Sequence, residues 1–423
     1  MYTFLTHRDK LGPVIEDVEE KISGKLNEID QRIEENQYRV LSSFQKHRVS
    51  DTHFHPSTGY GYNDMGRETL ESIYADVFGG EAGLVRPQIV SGTHAIAISL
   101  FGVLRPGNEL LYITGKPYDT LEEIVGSRGK SSGSLKEFGI GYSAIPLTPE
   151  GKVDFKAVQE KINPKTKVIG IQRSKGYDDR PSFTIEEIAE MISFVKEINP
   201  ELIVFVDNCY GEFVETREPC HVGADLMAGS LIKNPGGGIV KTGGYIVGKR
   251  EYVEDCSFRM TSPGLGSEAG ASLYSLLEMY QGFFLAPHIT GQALKGAVFT
   301  SAFLEQLGMK TEPKWTAVRT DLIQSVQFGD ADLMIAFCQA IQAASPVDSY
   351  VLPQPGEMPG YSDPVIMAAG AFIQGSSIEL SADGPIRPPY AAYVQGGLTY
   401  AHVKIAITTA VDHLLEKGLI HVK

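Results

Sequence analysis

Residues 202–248 read LIVFVDNCYGEFVETREPCHVGADLMAGSLIKNPGGGIVKTGGYIVG, and this stretch decides the fold. Five apolar residues, 202–206, predict a buried strand that ends abruptly at the carboxylate of Asp207. A second apolar stretch leads to Lys233, which the three glycines 236–238 follow. Because parallel sheets present their chemistry at the carboxyl ends of their strands, this arrangement predicts a functional edge that carries Asp207 and Lys233.

Strands and helices alternate around this stretch. The apolar pattern predicts further strands at 110–113, 140–147, 168–171 and 243–248. Between them, helical spacing and capping signals predict helices at 67–78, 94–104, 154–162 and 184–198. Such alternation predicts an α/β fold in which a mainly parallel sheet has helices on both faces.

The two ends of the chain have different patterns. Residues 13–44 predict an amphipathic helix that could break near Gly24, and residues 267–307 a long helical region that Pro287 interrupts. The last part predicts a smaller α+β domain with a helix at 330–344, strands at 371–374 and 378–380, and a closing helix at 402–416. We therefore expect an N-terminal helix and active-site arm, a large domain and a small domain, with the respective bounds 1–65, 66–300 and 301–423.

Charge and composition exclude several classes of partner. The 423 residues include 38 basic and 52 acidic side chains, a formal charge of −14, which argues against nucleic acid and anionic membranes as partners. No apolar run approaches the roughly 20 residues that span a bilayer. The N-terminus lacks the apolar core of a signal peptide, and the four cysteines have neither metal nor disulfide spacing. A cytoplasmic protein is the resulting expectation.

Lys233 and Asp207 have the residue types that an aldehyde cofactor needs. A lysine can form a Schiff base with the aldehyde, and a carboxylate can keep a ring nitrogen protonated. The competing interpretations are a surface lysine in a turn and a strand-end aspartate that caps the next turn. Lys241 is a second candidate lysine, because residues 236–242 superficially resemble a phosphate-binding P-loop. That motif requires glycine directly before the lysine, where this chain has Val240.

Further candidate site residues lie elsewhere in the chain. The triplet Ser91-Gly92-Thr93 precedes a predicted helix and could bind a phosphate, although the same triplet also serves as an ordinary N-cap turn. Tyr118 follows a strand and could stack on a ring or transfer a proton, unless it is an exposed loop residue. The other candidates are Arg387 and Arg173 for a substrate carboxylate, each of which could equally be a surface ion pair, and His53 with His55, whose spacing alone is weak evidence for a metal. We therefore predict no metal site.

Together these stretches resemble the fold-type I pyridoxal-phosphate enzymes of cysteine and methionine metabolism, which include cystathionine β- and γ-lyases and methionine γ-lyase. The phrases that carry this resemblance are Phe78–Ala82, Ser91–Thr93, Val206–Tyr210 and Ser230–Lys233. The closer resemblance is to the methionine γ-lyase-like branch, also named cystathionine β-lyases of aluminium resistance. The phrases typical of that branch are Ser57–Tyr62, Lys233–Gly238 and Gln395–Tyr400.

The resemblance implies a fold and a set of roles. The fold is that of fold-type I, with a mainly parallel seven-stranded sheet and a smaller C-terminal domain. Pyridoxal 5'-phosphate would form a Schiff base with Lys233, with Asp207 at its ring nitrogen and Tyr118 stacked on the ring. The other implied cofactor contacts are Ser91, Gly92, Thr93 and Ser230, together with Tyr60 and Tyr62 from a neighbouring subunit of a homodimer or homotetramer.

Two positions depart from the lyase pattern. The lyases carry Tyr-x-Arg where this chain has Tyr60-Gly61-Tyr62, and Ile232 replaces a hydroxyl residue that contacts the phosphate. The implied reaction is loss of a β- or γ-sulfur group from an amino acid, with Lys233 and Tyr118 moving protons and Arg387 or Arg173 holding the carboxylate. The alternatives are transamination, racemisation or aldol cleavage on the same cofactor, and a metal-tolerance protein with vestigial catalysis.

Overall fold

The structure is a computed structural model that describes residues 2–129, 132–178, 180–358 and 361–421. Helices α1 to α10 are Arg8–Lys46, Met65–Phe78, Gly92–Val103, Asp119–Val125, Phe155–Lys161, Ile185–Ile198, Arg250–Met260, Leu276–Gln306, Ala331–Ala343 and Tyr400–Glu416. Strands β1 to β12 are Ala82–Arg86, Glu109–Tyr112, Gly141–Ala144, Thr166–Gln172, Ile203–Asp207, Leu226–Ser230, Gly244–Gly248, Lys310–Glu312, Gln324–Gln327, Val365–Ala368, Ser381–Pro385 and Ala391–Gln395. Among the described residues, none of the helices combines the length and the apolar character needed to cross a lipid bilayer.

The large sheet has seven strands in the order β1-β7-β6-β5-β4-β2-β3. The pairs from β6 to β3 are parallel, whereas β7 is antiparallel to both of its neighbours. The predicted mainly parallel, seven-stranded sheet is therefore confirmed. The pattern missed β1, because its antiparallel pairing gives no strand–helix alternation to detect. The apolar pair 89–90 that precedes Ser91 lies in the turn after β1 and not in a strand.

Helices cover both faces of this sheet because the strand side chains alternate in direction. Along β5, Ile203 and Phe205 pack in one apolar core with α3, and Val204 and Val206 pack in another with α6. All five residues of β5 are buried, including Asp207 at its carboxyl end. The uninterrupted apolar run of this strand thus reflects its position in the middle of a covered sheet.

The small sheet is antiparallel, in the order β10-β11-β12-β9-β8. The strands predicted at 371–374 and 378–380 are wrong, since residues 371–380 form bends without regular structure and the strand begins at Ser381. Their apolar residues are buried all the same: Ile378 and Leu380 belong to the core of the small domain. Burial of an irregular segment therefore produced a pattern that resembled a strand.

Two long helices are less interrupted than the sequence predicts. Helix α1 is continuous through Gly24, and helix α8 continues through Pro287, which is buried within it. Helix α8 also runs across residue 300, the expected boundary between the domains. Helix α1 packs along α8 in the same chain, which settles where its apolar face is buried.

Candidate active site

A cavity of about 1100 Å³ opens at the carboxyl ends of β2, β4, β5 and β6. Small-domain residues complete its wall: Ser376, Arg387 and Gln395. Of the residues singled out from the sequence, the structure brings the following to this cavity: Ser91, Gly92, Thr93, Tyr118, Asp207, Ser230, Lys233 and Arg387. It does not bring Tyr60, Tyr62 or Arg173 there.

Lys233 lies three residues beyond the end of β6 and is half-buried. Its Nζ donates to the hydroxyl of Tyr210 and, at 2.9 Å, to the carbonyl oxygen of Ser376. The same Nζ lies 3.7 Å from the centre of the Tyr210 ring. Burial lowers the pKa of this amine, although the surrounding acidic groups oppose the shift. The Lys233 amine is therefore fixed in position and releases its proton more readily than a free lysine, which suits a nucleophile.

Asp207 is the last residue of β5 and is only 4% exposed. Its Oδ1 accepts from the backbone N–H of Cys209 at 3.1 Å. Burial raises the pKa of this carboxyl, partly offset by the Cys209 hydrogen bonds and by the charges of Lys233 and Arg180. No basic side chain of the described residues forms an ion pair with it. A buried carboxylate at a cavity wall without such a pair fits a ligand that brings its own protonated nitrogen.

The N-terminus of α3 faces the same cavity. Ser91 caps this helix by accepting from the backbone N–H of His94 at 3.0 Å. A Cβ on Gly92 would lie 3.1 Å from the Ser230 Cβ and 3.2 Å from the Cys209 Sγ. The closeness of these two side chains favours glycine at position 92. The first N–H groups of a helix lack intrahelical partners and attract anions. This end of α3 therefore fits a phosphate group.

Ile232 serves the domain interface. Its carbonyl oxygen accepts from the backbone N–H of Ile378 at 3.0 Å, which ties the Lys233 loop to the small domain. The apolar side chain that stands where the lyases have a hydroxyl lines the cavity without offering a phosphate ligand. Ser230 lies two residues before it, and its hydroxyl accepts from the Ile232 N–H at 3.4 Å.

Tyr118 is fixed at the cavity wall. Its hydroxyl lies 2.8 Å from Thr93 Oγ1, and its backbone N–H donates to Gln172 Oε1 at 2.8 Å. Burial raises the pKa of the phenol well above its usual value, and the charge of Asp207 adds to the shift. It therefore stays protonated near neutral pH and is available as a donor. Tyr118 is also the N-cap residue of α4, where its side chain makes no capping hydrogen bond.

Arg173 does not line the cavity, contrary to its proposed role with a substrate carboxylate. It is fully buried, and its guanidinium donates to Thr320 at 3.1 Å, Asn208 at 2.8 Å and Glu215 at 3.0 Å. It also lies 3.4 Å from the buried carboxylate of Glu218. These contacts make Arg173 a part of the protein interior, and its position just beyond β4 gave no sign of this.

Tyr60 and Tyr62 stack on each other at the surface, with ring centres 5.4 Å apart, and are 67% and 53% exposed. The loop that carries them is anchored: Arg67 Nη1 donates to the Gly61 carbonyl oxygen at 2.6 Å, and the Gly270 N–H donates to that of Tyr60 at 2.8 Å. This ordered aromatic pair lies outside the cavity of its own chain.

The metal interpretation has no geometric support among the described residues, where no three histidine, cysteine or acidic side chains lie close enough to hold an ion. His53 Nδ1 accepts from the Ser50 backbone N–H at 3.0 Å, so this histidine caps the short helical turn 51–54.

Several residues at the site were missed by the reasoning from the sequence. Tyr210 and Arg180 line the cavity, as do Ser376 and Gln395 from the small domain. Only Tyr210 carried a usable signal, because it lies three residues after a strand-end carboxylate and thus at the same edge of the sheet. The small-domain residues are distant in sequence: no local pattern marks Ser376, and the phrase that begins at Gln395 gave that residue no chemical role.

Glu212 is a buried acid beneath the Lys233 loop. Its Oε1 accepts from the Tyr245 hydroxyl at 2.8 Å, and its backbone carbonyl oxygen accepts from Asn234 Nδ2 at 2.9 Å. Burial raises the pKa of this carboxyl to about 8. The Glu212 carboxyl is therefore mostly protonated and neutral in the folded protein at neutral pH. The stability that the folded protein gains from holding this proton is fully present below the unfolded pKa near 4.5 and is lost as the pH rises through about 8.

We expect Glu212→Gln, which stays neutral, to remove this pH dependence. The free energy of unfolding of the wild type should fall relative to that of the variant between about pH 5 and pH 8, by at most about 1.4 kcal/mol per pH unit. Urea unfolding at several pH values measures the difference, with the exposed Glu254→Gln as control. Parallel pH profiles for the wild type and Glu212→Gln would contradict the assignment.

The family model described as Methionine gamma-lyase matches residues 12–415. The chain belongs to the methionine gamma-lyase family. It is 72% identical over 421 residues to the uncharacterized protein YnbB of Bacillus subtilis, a match that covers 99% of this chain and 100% of that protein.

Solved structures agree with this membership. A Listeria monocytogenes protein, named provisionally as a cystathionine beta-lyase involved in aluminum resistance, has 66% identity and a TM-score of 0.94 over 95% of this chain and 99% of its own. The pyridoxal-5'-phosphate-dependent protein YhfS of Escherichia coli shares the fold at 16% identity, with a TM-score of 0.63 over 92% of this chain and 97% of its own. The resemblance inferred from sequence phrases is confirmed, as is the fold class. As a member of the methionine gamma-lyase family, the chain is a pyridoxal-phosphate-dependent lyase.

Proposed function

We propose that this protein is a carbon–sulfur lyase that removes a sulfur-bearing group from the β- or γ-carbon of an amino acid. The observation that supports this most is the convergence of three groups on one cavity: the Lys233 amine, the buried Asp207 carboxylate and the N-terminus of α3. Bound pyridoxal phosphate supplies an aldehyde for the substrate amine and a ring that withdraws electrons from its α-carbon.

The residues of the chain have distinct parts in this reaction. Lys233 would hold the cofactor, and its lowered pKa suits the free amine to take the proton from the substrate α-carbon. Asp207 would keep the ring nitrogen protonated, and Ser91, Gly92, Thr93 and Ser230 would bind the phosphate. Tyr118, protonated near neutral pH, would cover the ring and donate a proton to the departing sulfur. One water molecule is consumed, and the products are a keto acid, ammonia and a thiol.

A substrate screen with keto-acid and thiol detection tests the proposal. Cystathionine, methionine and cysteine are each offered to the purified protein, and the carbon skeleton of the keto acid separates β- from γ-elimination. Release of a keto acid and a thiol from at least one of them is expected. Amino-group transfer to an added keto acid, racemisation or aldol cleavage without thiol release would overturn it, as would firmly bound metal in a protein free of cofactor.

Arg387 remains our proposed ligand for the substrate carboxylate. Its side chain lines the cavity, is half-buried, and forms an ion pair with Asp363 at 3.1 Å. Arg180 also lines the cavity, but its guanidinium donates to the backbone carbonyl oxygens of Ser174 at 2.6 Å and Pro181 at 3.1 Å. Arg387 therefore has the more accessible charge.

We expect Arg387→Ala to raise KM roughly 10- to 100-fold with a smaller effect on kcat, because a charge-assisted hydrogen bond contributes about 1.5–3 kcal/mol. Steady-state kinetics with the best substrate of the screen measure this, with the surface variant Arg250→Ala as control. An unchanged KM in Arg387→Ala, combined with a raised KM in Arg180→Ala, would assign the role to Arg180.

We also propose a cytoplasmic homodimer or homotetramer in which Tyr60 and Tyr62 reach the site of a neighbouring subunit. Their anchored, exposed stack outside the cavity of their own chain supports this arrangement. The four cysteines are free, in keeping with a reducing compartment. Light scattering of the purified protein determines the oligomer, and a monomer with full activity would exclude a shared site.

A further inference from the structure

Asp383 is a buried carboxyl behind the cavity wall. It lies in β11, an inner strand of the small sheet between β10 and β12, and has no exposed surface. Its Oδ2 accepts from Gln395 Nε2 at 3.2 Å and from Ser376 Oγ at 3.5 Å, whereas its Oδ1 has no hydrogen-bond partner among the described residues. Burying an ionisable group without full satisfaction of its oxygens is costly.

Ser376 and Gln395, which contact Asp383, also line the cavity, as does Tyr177, a further side-chain hydrogen-bond partner of Asp383. The carbonyl oxygen of Ser376 accepts from Lys233 Nζ at 2.9 Å. The side chains of Ser376 and Gln395 also hydrogen-bond Tyr210, whose hydroxyl accepts from the same Nζ. Two short bridges therefore connect a carboxyl group of the small domain to the amine of the large domain.

The charges around Lys233 come from several elements. Asp207, Cys209 and Glu212 lie on the large-domain side after β5, and Asp383 lies on the small-domain side. Burial raises the pKa of Asp383 to about 7, although Tyr177 and the charge of Lys233 lower it. Arg180 is a further cation near Asp207. Asp383 is thus the small-domain acid at this amine, and it changes charge close to neutral pH.

We propose that Asp383 is a positioning residue that, through Ser376, Gln395 and Tyr210, fixes the place and the charge of the Lys233 amine. This inference rests on the proposed function, because it gives Lys233 a reason to be held by both domains. When Asp383 ionises, its negative charge favours the protonated amine, and when it is neutral this support disappears.

The test measures the amine itself and does not depend on turnover. The full chain, freed of cofactor by dialysis against hydroxylamine, is labelled with trinitrobenzenesulfonate, and peptide mass spectrometry follows the labelling rate of Lys233 against pH. In Asp383→Asn, a near-isosteric change, we expect rates like those of the wild type near pH 6 and labelling about tenfold faster near pH 8, where wild-type Asp383 is ionised. In the active holoenzyme, kcat should fall more than KM rises, and Asp383→Glu should restore part of it.

Asp321→Asn is the matched control. Asp321 is also a buried carboxylate between the domains, where it accepts from Ser174 Oγ at 2.7 Å, but it does not belong to the groups that shift the pKa of Lys233. Its labelling profile should match that of the wild type. If Asp383→Asn does not fold, Gln395→Leu removes the donor to Asp383 and should accelerate labelling in the same pH range.

Coincident labelling curves for the wild type and a folded Asp383→Asn would overturn the inference. Coincident curves for the wild type and Gln395→Leu would overturn it if only that variant folds. A protein that releases no keto acid from any substrate would instead refute the proposed function and leave the labelling comparison to be judged separately.

Discussion

Lys233→Ala is expected to eliminate keto-acid production and the covalent attachment of the cofactor. The substitution removes both the nucleophile and the proposed base, and a positioned base alone contributes about 10²–10⁴-fold to a rate. A loss of at least about 10³-fold is therefore expected. Denaturation followed by mass measurement tests attachment separately from activity: borohydride-treated wild type should carry the added mass of the cofactor on the peptide containing Lys233, and the variant should not.

Lys241→Ala is the matched control for this variant. Lys241 is eight residues further along the same loop region, but its side chain is largely exposed and pairs with Glu278 at the surface. Its removal should leave both attachment and activity unchanged. If cofactor mass were instead found on a peptide that contains Lys241, the central assignment of this site would be wrong.

Asp207→Asn is expected to lower kcat/KM by roughly 160- to 5,000-fold without unfolding the protein. Asparagine keeps the shape and can still accept from the Cys209 N–H, but it cannot hold a proton on the ring nitrogen by charge. Breaking a buried charge pair costs about 3–5 kcal/mol, which corresponds to that loss in rate.

Kinetics and thermal unfolding of the holoenzyme measure the two effects together. Asp332→Asn, an exposed residue in the first turn of α9, serves as the control for loss of an aspartate charge. Nearly unchanged kinetics in a folded Asp207→Asn would show that the carboxylate only caps the turn after β5.

The sequence was sufficient where a local pattern and a physical requirement coincide. Asp207 and Lys233 follow neighbouring strands of a parallel sheet, so their meeting at one edge follows from topology. The sequence was insufficient at residues 371–380, where an irregular segment has buried apolar side chains. It was also insufficient at Pro287, a buried proline that does not interrupt its helix. Arg173 shows a third limit. The sequence around an arginine at a strand end does not distinguish a side chain that faces a cavity from one that lies in the protein interior.

The small-domain half of the site was beyond prediction for a different reason. Ser376 and Gln395 reach the cavity that holds Lys233 only because two sheets, separated by α8 in the chain, pack with a particular relative orientation. Neither residue lies in a motif with chemical meaning, and their roles depend on contacts across more than a hundred residues of sequence. Such contacts are set by packing of the whole chain, which no periodicity records.

Helix α1 has a consequence for how the site can move. Its N-terminal half packs in the core of the small domain through Leu11 and Ile22, while Val40 reaches that of the large domain. An unbroken helix of 39 residues is a rod about 58 Å long, and bending it would cost many hydrogen bonds. A hinge rotation between the domains is thus braced from one side, since opening the two domains like a jaw would bend this rod.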